Sequence, residues 1–441
     1  MGLLNTFRNK TFWFIDYLKG GLIKNHYREI EYILENYHSE KSIKLRESHL
    51  SNLLNHAVST SPFYKSYKNN KTLTNFSVIN KLIVKNNLSE IKSRIYIKKK
   101  KIKISTSGST GTPMILFQDL NKRYRNIADT IYFAKRAGFK LGTKLIYMRV
   151  WTPKNKKGFF TAWMQNVKML EVLNLDNEEI SKLLQILQVK EEKGIISYAS
   201  SLEAVCRYLD EIDSDPLDCN INSIISNSEL LNEYTKSSVK KYFKSSIVSR
   251  YSNNENGILS QQIPGEGNEF EINWASFVIE ILKFDEDKPV EPGELGRVVI
   301  TDLFNYCMPL IRYDTGDIAC VENNDKDIPV FKRVEGRKYD LVHNTMGNMV
   351  SGYAIAFIMY KYTNLNQYQF IQESKTNYIL KLNPTQEFNE ETQILSELKE
   401  CLGNDSNIKI EYIQEIPVLS SGKRRVIINN FVKDKENVVE F

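Results

Sequence analysis

The amino-acid sequence predicts an α/β protein: a large N-terminal α/β domain of β-α units with a small appended β-barrel, and a small C-terminal α+β domain. Three observations lead to this prediction. The 441 residues exceed what one typical core holds. Strand and helix signals alternate over the first half of the chain, and a β-rich pattern begins near Phe277. We place the domain boundary so that the domains are 1–337 and 338–441.

The individual elements follow from the spacing of the apolar residues. Apolar positions recur at helical spacing between His26 and Ala57. Farther along, short apolar runs predict strands, and Ser200 or Ser201 is expected to cap a helix that continues to Leu209. The predicted strands are 101–104, 145–150, 194–198, 223–226 and 247–249, and the other predicted helices are 119–138 and one that ends near 243.

The pattern changes in the C-terminal part of the chain. Phe277–Leu282 and Gly296–Ile300 are β-rich and flank the turn residues 288–293, which indicates an antiparallel hairpin or a small barrel. From about Tyr339, strand and helix signals alternate again over a length that suits a small α+β domain.

Composition argues against several classes of function. The net charge of +7 is mild and no nucleic-acid motif accompanies it. Five dispersed cysteines without a Cys-x-x-Cys pair suit a reducing cytoplasm and argue against a zinc ribbon. Four of the five histidines lie between His26 and His56, so a Ser-His-Asp triad is hard to build around the central region. No apolar run approaches the ~18 to 20 residues that cross a bilayer, and the aromatic segment 11–18 leaves a peripheral membrane contact open.

The most informative stretch is Ser105–Pro113, Ser-Thr-Ser-Gly-Ser-Thr-Gly-Thr-Pro. Gly108 and Gly111 let the backbone approach a ligand, and successive N–H groups with Ser and Thr hydroxyls form an anion-binding loop. It is not the common NTPase loop, because no lysine follows Gly111. A phosphate-binding loop and a Ser/Thr-rich surface turn are both consistent with the stretch taken alone.

Four further segments carry residues that suit an ATP site: 251–255, 312–317, 336–337 and 420–425. Tyr251 offers a flat face for a base, and Glu255 offers a hard oxygen ligand for Mg²⁺. Asp317 follows a Thr-Gly turn and can accept hydrogen bonds from ribose hydroxyls. Lys423 can bring a positive charge to a reacting phosphate.

In order and spacing, these five segments resemble the adenylate-forming ligase superfamily of acyl-CoA synthetases. The resemblance covers nearly the whole chain. It is strongest to the phenylacetate–CoA ligase family, particularly its capsular-polysaccharide branch, because Gly293–Leu303 leads through Pro309–Arg312 into Tyr-Asp-Thr-Gly-Asp317. The resemblance implies a mobile C-terminal domain that swings across the active site.

The resemblance also implies a role for each position. Tyr251, with Ser252 and Asn253, would border the adenine; Asp317 and Arg337 would fix the ribose. Glu255 would be catalytic and bind Mg²⁺, and Lys423 would bridge the attacking carboxylate and the α-phosphate. The segment 197–201 and the strand end 227–229, which contains Glu229, would approach the acyl and nucleotide pocket. The residues that would hold the β- and γ-phosphates are Thr106, Ser107, Gly108, Ser109, Thr110, Gly111 and Thr112.

The function that the resemblance implies is ATP-dependent adenylation of a carboxylic acid, with ATP and Mg²⁺ as cofactors. The acyl group would pass to CoA or to an amine such as an amino sugar, in the cytoplasm or at the inner face of the membrane. Two other classes stay open. Met114 and Tyr339 depart from the family pattern, which suits a nucleotide-binding scaffold without catalysis. The lysines at 98–101 suit a basic membrane- or nucleic-acid-associated protein.

Overall fold

A computed structural model places the chain in two compact units, Met1–Val334 and Glu335–Phe441. The residues that it describes are 2–105, 114–151, 155–172, 175–265, 267–337, 342–350, 355, 358–359, 361–362, 364–385, 387–417 and 425–431.

The helices of the described residues are numbered in chain order. They are α1 (Leu3–Leu18), α2 (Leu22–Glu35), α3 (Glu40–Thr60), α4 (Lys81–Asn86), α5 (Leu88–Ile91), α6 (Leu120–Arg136), α7 (Phe159–Met164), α8 (Asn177–Gln188), α9 (Ala199–Glu211), α10 (Glu233–Phe243) and α11 (Glu391–Leu402). Short 3₁₀ helices occupy Pro62–Asn69, Leu73–Asn75 and Arg94–Tyr96.

The strands are numbered in the same way. They are β1 (Ile102–Ser105), β2 (Ile115–Gln118), β3 (Lys144–Met148), β4 (Val167–Leu170), β5 (Lys193–Tyr198), β6 (Ile221–Asn227), β7 (Ile247–Asn253), β8 (Gly257–Gln262), β9 (Phe270–Ile272), β10 (Phe277–Leu282), β11 (Leu295–Asp302), β12 (Tyr313–Asn323), β13 (Pro329–Arg337), β14 (Val342–His343), β15 (Met349–Val350), β16 (Leu365–Gln372), β17 (Asn377–Pro384), β18 (Asn407–Tyr412) and β19 (Ile427–Asn429).

One large sheet organises the first unit. Its strand order is β10-β11-β12-β13-β9-β8-β7-β6-β5-β3-β4. Strands β4, β3, β5, β6 and β7 are parallel, whereas the order continues antiparallel from β7 into β8. The alternating strand and helix signals predict β3, β5, β6 and β7 but not β4. The α/β class is thus confirmed, and so is the predicted hairpin, since β10 pairs antiparallel with β11. The described pairings place these strands in the large sheet, and a separate closed barrel is not confirmed.

Helices cover both faces of the parallel part of the sheet. Successive strand residues point to opposite faces, so Ile195 joins the core under α8, α9 and α10 while Ile196 joins a cluster with Ala137 on the other side. On that second side, α2 and α6 pack together through Ile30 and Tyr132. The apolar stripes that predicted these helices are therefore the surfaces that they bury.

The second unit is a smaller α+β layer. Its sheet has the order β18-β17-β16-β19, in which β16 and β17 are antiparallel and the two outer pairs are parallel. Ile394, Leu398 and Leu402 recur at helical spacing along α11 and are fully buried. They form one core with Phe370 and Leu380 of the sheet.

A cluster of buried charges holds α6 in place. Arg125 is completely buried; its guanidinium contacts Glu29 of α2 at 2.6 Å and donates to Ser276 Oγ at 2.8 Å. His49 of α3 lies 3.0 Å from the same Glu29 oxygen. Burial alone raises the pKa of the Glu29 carboxyl, but the hydrogen bond with His49 and the charge of Arg125 outweigh it and hold this pKa at about 2.

We predict that this carboxylate makes stability pH-dependent. A depressed pKa contributes stability above the unfolded value near 4.5, and this contribution is lost as the pH falls toward 2. Glu29→Gln should therefore lower the free energy of unfolding by about 2 to 3 kcal/mol at neutral pH, and the difference from the wild type should shrink below about pH 4.5. Urea unfolding of both proteins at a series of pH values from neutral to acid measures this difference.

The matched control is Glu40→Gln, which removes an exposed carboxylate paired with Lys44. Exposed pairs within a helix contribute only about 0.3 to 0.5 kcal/mol, so this variant should follow the wild type. If Glu29→Gln lowered the free energy of unfolding by the same amount at every pH, the depressed pKa would not be the cause of the loss.

Candidate active site

Two residues from separate predicted motifs meet in the structure. The Tyr251 hydroxyl donates a hydrogen bond to Asp317 Oδ2 at 2.6 Å. Their strands, β7 and β12, stand four places apart in the sheet order, and four strand spacings of ~4.8 Å would separate them by about 19 Å in a flat sheet. The sheet therefore coils here and brings β12 over β7, so that both motifs border one site.

The Asp317 carboxylate is held by a rigid turn. Gly316 has a φ of 76°, a left-handed conformation that favours glycine. Its N–H donates to Asp314 Oδ1 at 2.9 Å, and the Asp317 N–H donates to Thr315 Oγ1 at 3.0 Å. Asp317 is 8% exposed. A fixed, nearly buried carboxylate of this kind can accept hydrogen bonds from ligand hydroxyls.

Glu255 lies at the turn between β7 and β8, on the same strand pair as Tyr251. Asn253 shapes the turn, because its Oδ1 accepts the Asn256 N–H at 2.8 Å. The Glu255 carbonyl accepts from Gln118 Nε2 at 3.0 Å. Gln118 ends β2, whose partner β1 ends at Ser105, and Ser105 pairs with Ile115. The strands that flank segment 106–113 are thus tied to the Glu255 turn.

Glu229 connects the end of β6 to α9. Its Oε2 accepts the Ser200 N–H at 2.9 Å, directly after the strand end at Asn227. The prediction that Ser200 or Ser201 caps α9 is wrong: the N-cap position is Tyr198, which makes no side-chain cap. A carboxylate from the neighbouring strand supplies the acceptor instead. Ser228 next to it has a φ of 69°, which is unusual for a residue with a side chain.

The remaining predicted site residues are not described in full. The phosphate-loop residues Thr106 to Thr112 and Lys423 lie outside the described residues. Arg337 is the last residue of β13, and its side chain is outside the description. Ser252 is half-buried on β7 beside Tyr251.

Arg312, in the same sequence motif as Asp317, has a structural role. Its guanidinium forms a two-pronged ion pair with Glu280, both contacts at 3.0 Å, and donates to the Phe76 carbonyl at 2.9 Å. Arg312 is buried with a φ of 50°. Its charge is neutralised within the protein, so it joins β12 to β10 and to the segment before α4.

Sequence reasoning did not single out two arginines near the ends of the parallel strands, Arg250 and Arg149. Arg250 precedes Tyr251 and is buried, and Asn227 is its register partner on β6. Arg149 follows β3, and its Nη1 lies 3.5 Å from the Tyr147 hydroxyl. The signal available in the sequence was their place at the carboxyl ends of parallel strands, where open α/β sheets bind ligands.

Comparisons with known proteins agree with this architecture. Residues 342–430 match the family model of the CapK C-terminal domain. Protein CapK of Staphylococcus aureus is 26% identical over 444 residues, which is 94% of this chain and 94% of that protein.

Solved structures of CoA ligases share the fold. The 2-hydroxyisobutyryl-CoA ligase in its postadenylation state, in complex with R3-HIB-AMP, has a TM-score of 0.70 at 12% identity and covers 91% of this chain and 92% of its own. ATP-bound MatB from Rhodopseudomonas palustris has a TM-score of 0.56 at 13% identity, over 73% of this chain and 66% of its own. At these identities the likeness establishes the fold of adenylate-forming CoA ligases.

We predict that Tyr251→Phe lowers the free energy of unfolding but leaves the protein folded. The variant removes one donor from a nearly buried carboxylate, and such charge-assisted hydrogen bonds contribute about 1.5 to 3 kcal/mol. Urea unfolding of the variant should show a loss of this size. Tyr412→Phe is the control, since Tyr412 donates to Glu391 at an exposed position, and it should change stability by less than about 0.5 kcal/mol. Equal losses in the two variants would contradict the buried character of the Tyr251–Asp317 contact.

Proposed function

We propose that this protein adenylates a carboxylic acid with ATP and passes the acyl group from the acyl-AMP to CoA or to an amine acceptor. The observation that carries the proposal is the Tyr251–Asp317 hydrogen bond, because it joins two family motifs that are distant in sequence. Glu255 stands on the same strand pair as Tyr251, and Gln118 ties its turn to the strands flanking segment 106–113. The proposed domains are 1–337, which binds ATP and the acid, and 338–441, which carries Lys423.

The described residues fit a nucleotide with Mg²⁺. Asp317 offers a fixed acceptor for ribose hydroxyls, with Arg337 proposed beside it, and Tyr251 offers a ring face. Among the residues that the structure describes, no three His, Cys, Asp or Glu side chains form a metal cluster. Proteins often hold Mg²⁺ through one or two carboxylates plus substrate phosphates; we assign Glu255 to this role. Bound Mg²⁺ and ATP would supply the activated phosphate and neutralise its charge.

The comparisons support this proposal at two levels. The solved neighbours include 2-hydroxyisobutyryl-CoA ligase, in complexes with R3-HIB-AMP or with 2-HIB-AMP and CoA, and ATP-bound MatB. The CapK name and the resemblance to the capsular-polysaccharide branch favour a role in surface polysaccharide biosynthesis, with membership of the phenylacetate–CoA ligase family.

Lys423→Ala tests the chemistry. If Lys423 stabilises charge mainly in the transition state, acid-dependent pyrophosphate release should fall by about 100-fold or more while ATP binding changes little. The assay is pyrophosphate release from ATP and Mg²⁺ across a library of carboxylic acids, with ATP affinity measured by calorimetry. Lys409→Ala, at an exposed lysine of β18 that pairs with Glu411, is the control. ATP binding without turnover by any acid would favour the nucleotide-binding scaffold instead.

A second observation favours peripheral contact with a membrane. Helix α1 buries Asn5 and Asp16 and packs Phe12 and Trp13 against a core cluster. Its Asn9 donates to the Leu141 carbonyl at 2.9 Å. The opposite face of α1 is apolar, because its residues recur at i, i+4 and i, i+7 spacing and so lie on one side of the helix. These residues are exposed to solvent. They include Leu3, Phe7, Phe14 and Leu18.

Helix α7 extends this apolar surface. Phe159 is 88% exposed and Trp163 is 56% exposed. The Arg8 guanidinium of α1 lies 5.8 Å from the centre of the Trp163 ring, so the two helices are neighbours. Exposed apolar groups of this extent mark an interaction site.

The residues around the apolar surface of α1 and α7 are basic, which favours an anionic partner. Between Gly2 and Arg28 the single acid is Asp16, which is buried and accepts the N–H groups of Ile23 and Lys24. Arg8, Lys10 and Lys19 line α1. Apolar side chains within a basic rim suit the surface of an anionic bilayer. No described helix has the length and apolar character to cross one. We propose that the α1–α7 surface rests on anionic lipid.

Vesicle binding tests this contact. Wild-type protein should sediment with phosphatidylcholine vesicles that contain phosphatidylglycerol, more than with phosphatidylcholine alone. Phe159→Ser combined with Phe160→Ser should reduce the partition by about tenfold or more, since each buried phenylalanine contributes about 1.5 to 3 kcal/mol. The control is Val189→Ser with Ile212→Ser, two apolar residues exposed to 52% and 51% elsewhere. Equal partition of all variants, or a dimer that these phenylalanines hold together, would overturn the proposal.

A further inference from the structure

Arg250 is a buried cation that has no acidic partner among the described residues. The residue is 7% exposed on β7, and its Nε donates to Gln261 Oε1 at 2.7 Å. Its Nη2 is buried and has no hydrogen-bond partner among the described residues. Burial lowers the pKa of this guanidinium to about 10, with only Tyr147 acting against it.

The other buried arginines show that this is exceptional. Arg125 is paired with Glu29, and Arg312 is paired with Glu280. Within the described part of the chain, no carboxylate lies within ion-pair distance of Arg250. Burying a charge without a partner is costly and is avoided unless something compensates it. The described residues neutralise two buried arginines and supply no carboxylate to the third, which leaves Arg250 able to pair with an anion of a ligand.

The surroundings of Arg250 have the polarity of a binding site. Asn227 is its register partner on β6, and Asn227 Oδ1 is also buried without a hydrogen bond among the described residues. Tyr147, on β3, lies near enough to Arg250 to influence its pKa, and Arg149 Nη1 lies 3.5 Å from the Tyr147 hydroxyl. Arg149 Nε is likewise buried and unsatisfied in the described structure. Two guanidinium groups thus lie near one phenol, where the parallel pairing of β6 with β7 ends. Open α/β sheets bind ligands beyond the carboxyl ends of their parallel strands.

We propose that Arg250, with Tyr147 and Asn227, binds an oxyanion of the ligand. The inference rests on the proposed adenylation function in that the ligand is the acid or its nucleotide. The guanidinium fork matches a carboxylate or a phosphate. A second carboxylate on the acid substrate would satisfy it, which makes the substrate class an acid with two anionic groups. A nucleotide phosphate offers the same chemistry.

The experiment compares wild type, Arg250→Met and Arg250→Lys. The first arm measures pyrophosphate release with propionate, malonate, succinate and glutarate. The second measures the affinity for ATP with Mg²⁺ by calorimetry. The third follows the melting temperature as malonate replaces chloride at constant ionic strength, which needs no turnover. Arg207→Met, at an arginine of α9 paired with Glu203 on the surface, controls for the loss of a guanidinium.

The arms separate the sources of the oxyanion. If Arg250 binds a carboxylate of the substrate, kcat/KM of Arg250→Met for the diacids should fall by about 30-fold or more, mostly through a higher KM. This variant should also lose the rise in melting temperature that malonate induces. Arg250→Lys should be intermediate. If Arg250 binds a phosphate of the nucleotide, the affinity of Arg250→Met for ATP should fall instead. If Arg250→Met keeps its ATP affinity, its malonate response and any acid turnover, the subsite is overturned. Absence of acid-dependent turnover in the wild type would count against the proposed function alone, because the second and third arms still decide the subsite.

Discussion

The fold depends on a set of charges buried along one helix. Lys122 and Arg125 of α6 are completely buried, and so is Asp129. Lys122 lies 2.8 Å from Asp302 at the end of β11, and Asp129 accepts from Ser276 Oγ at 2.8 Å. Removing one partner of such a pair costs about 3 to 5 kcal/mol because it leaves an uncompensated charge. Apolar packing tolerates small displacements of a helix, but these contacts fix the position of α6 along its axis.

The same constraint places the candidate site. Asp119 caps α6 through the Lys122 N–H at 2.9 Å, and its other oxygen accepts the N–H groups of Tyr306 and Cys307. Gln118, the residue before it, reaches the Glu255 carbonyl. The start of α6 therefore anchors the strand that flanks segment 106–113 and the turn that carries Glu255. A site for a charged ligand gains precision when its supports are locked in this way.

Sequence patterns predicted what depends on local spacing. Strands β3, β5, β6 and β7 followed from short apolar runs, whereas β4 and α8 were not predicted. Tyr251 and Asp317 followed from motifs with a recognisable composition. The coiling of the sheet that brings these two together depends on strand order, which no local pattern contains. Periodicity also shows which residues of α1 share a face but not which face is inside, since Asn5 and Asp16 are the buried ones. The serine caps were wrong because Glu229 arrives from another strand.

Arg250 could not be predicted either, because its surroundings depend on strand order. It differs from the other buried arginines of the described residues in how its charge is compensated. Arg125 and Arg312 are neutralised by carboxylates of the protein, so their stabilisation is present in the free chain. A guanidinium that waits for an anion carries its desolvation cost until the ligand arrives. Ligand binding then repays that cost, and the melting temperature depends on ligand concentration. A buried guanidinium that the described residues leave without a carboxylate is therefore better understood as part of a binding site than as an imperfection of the core.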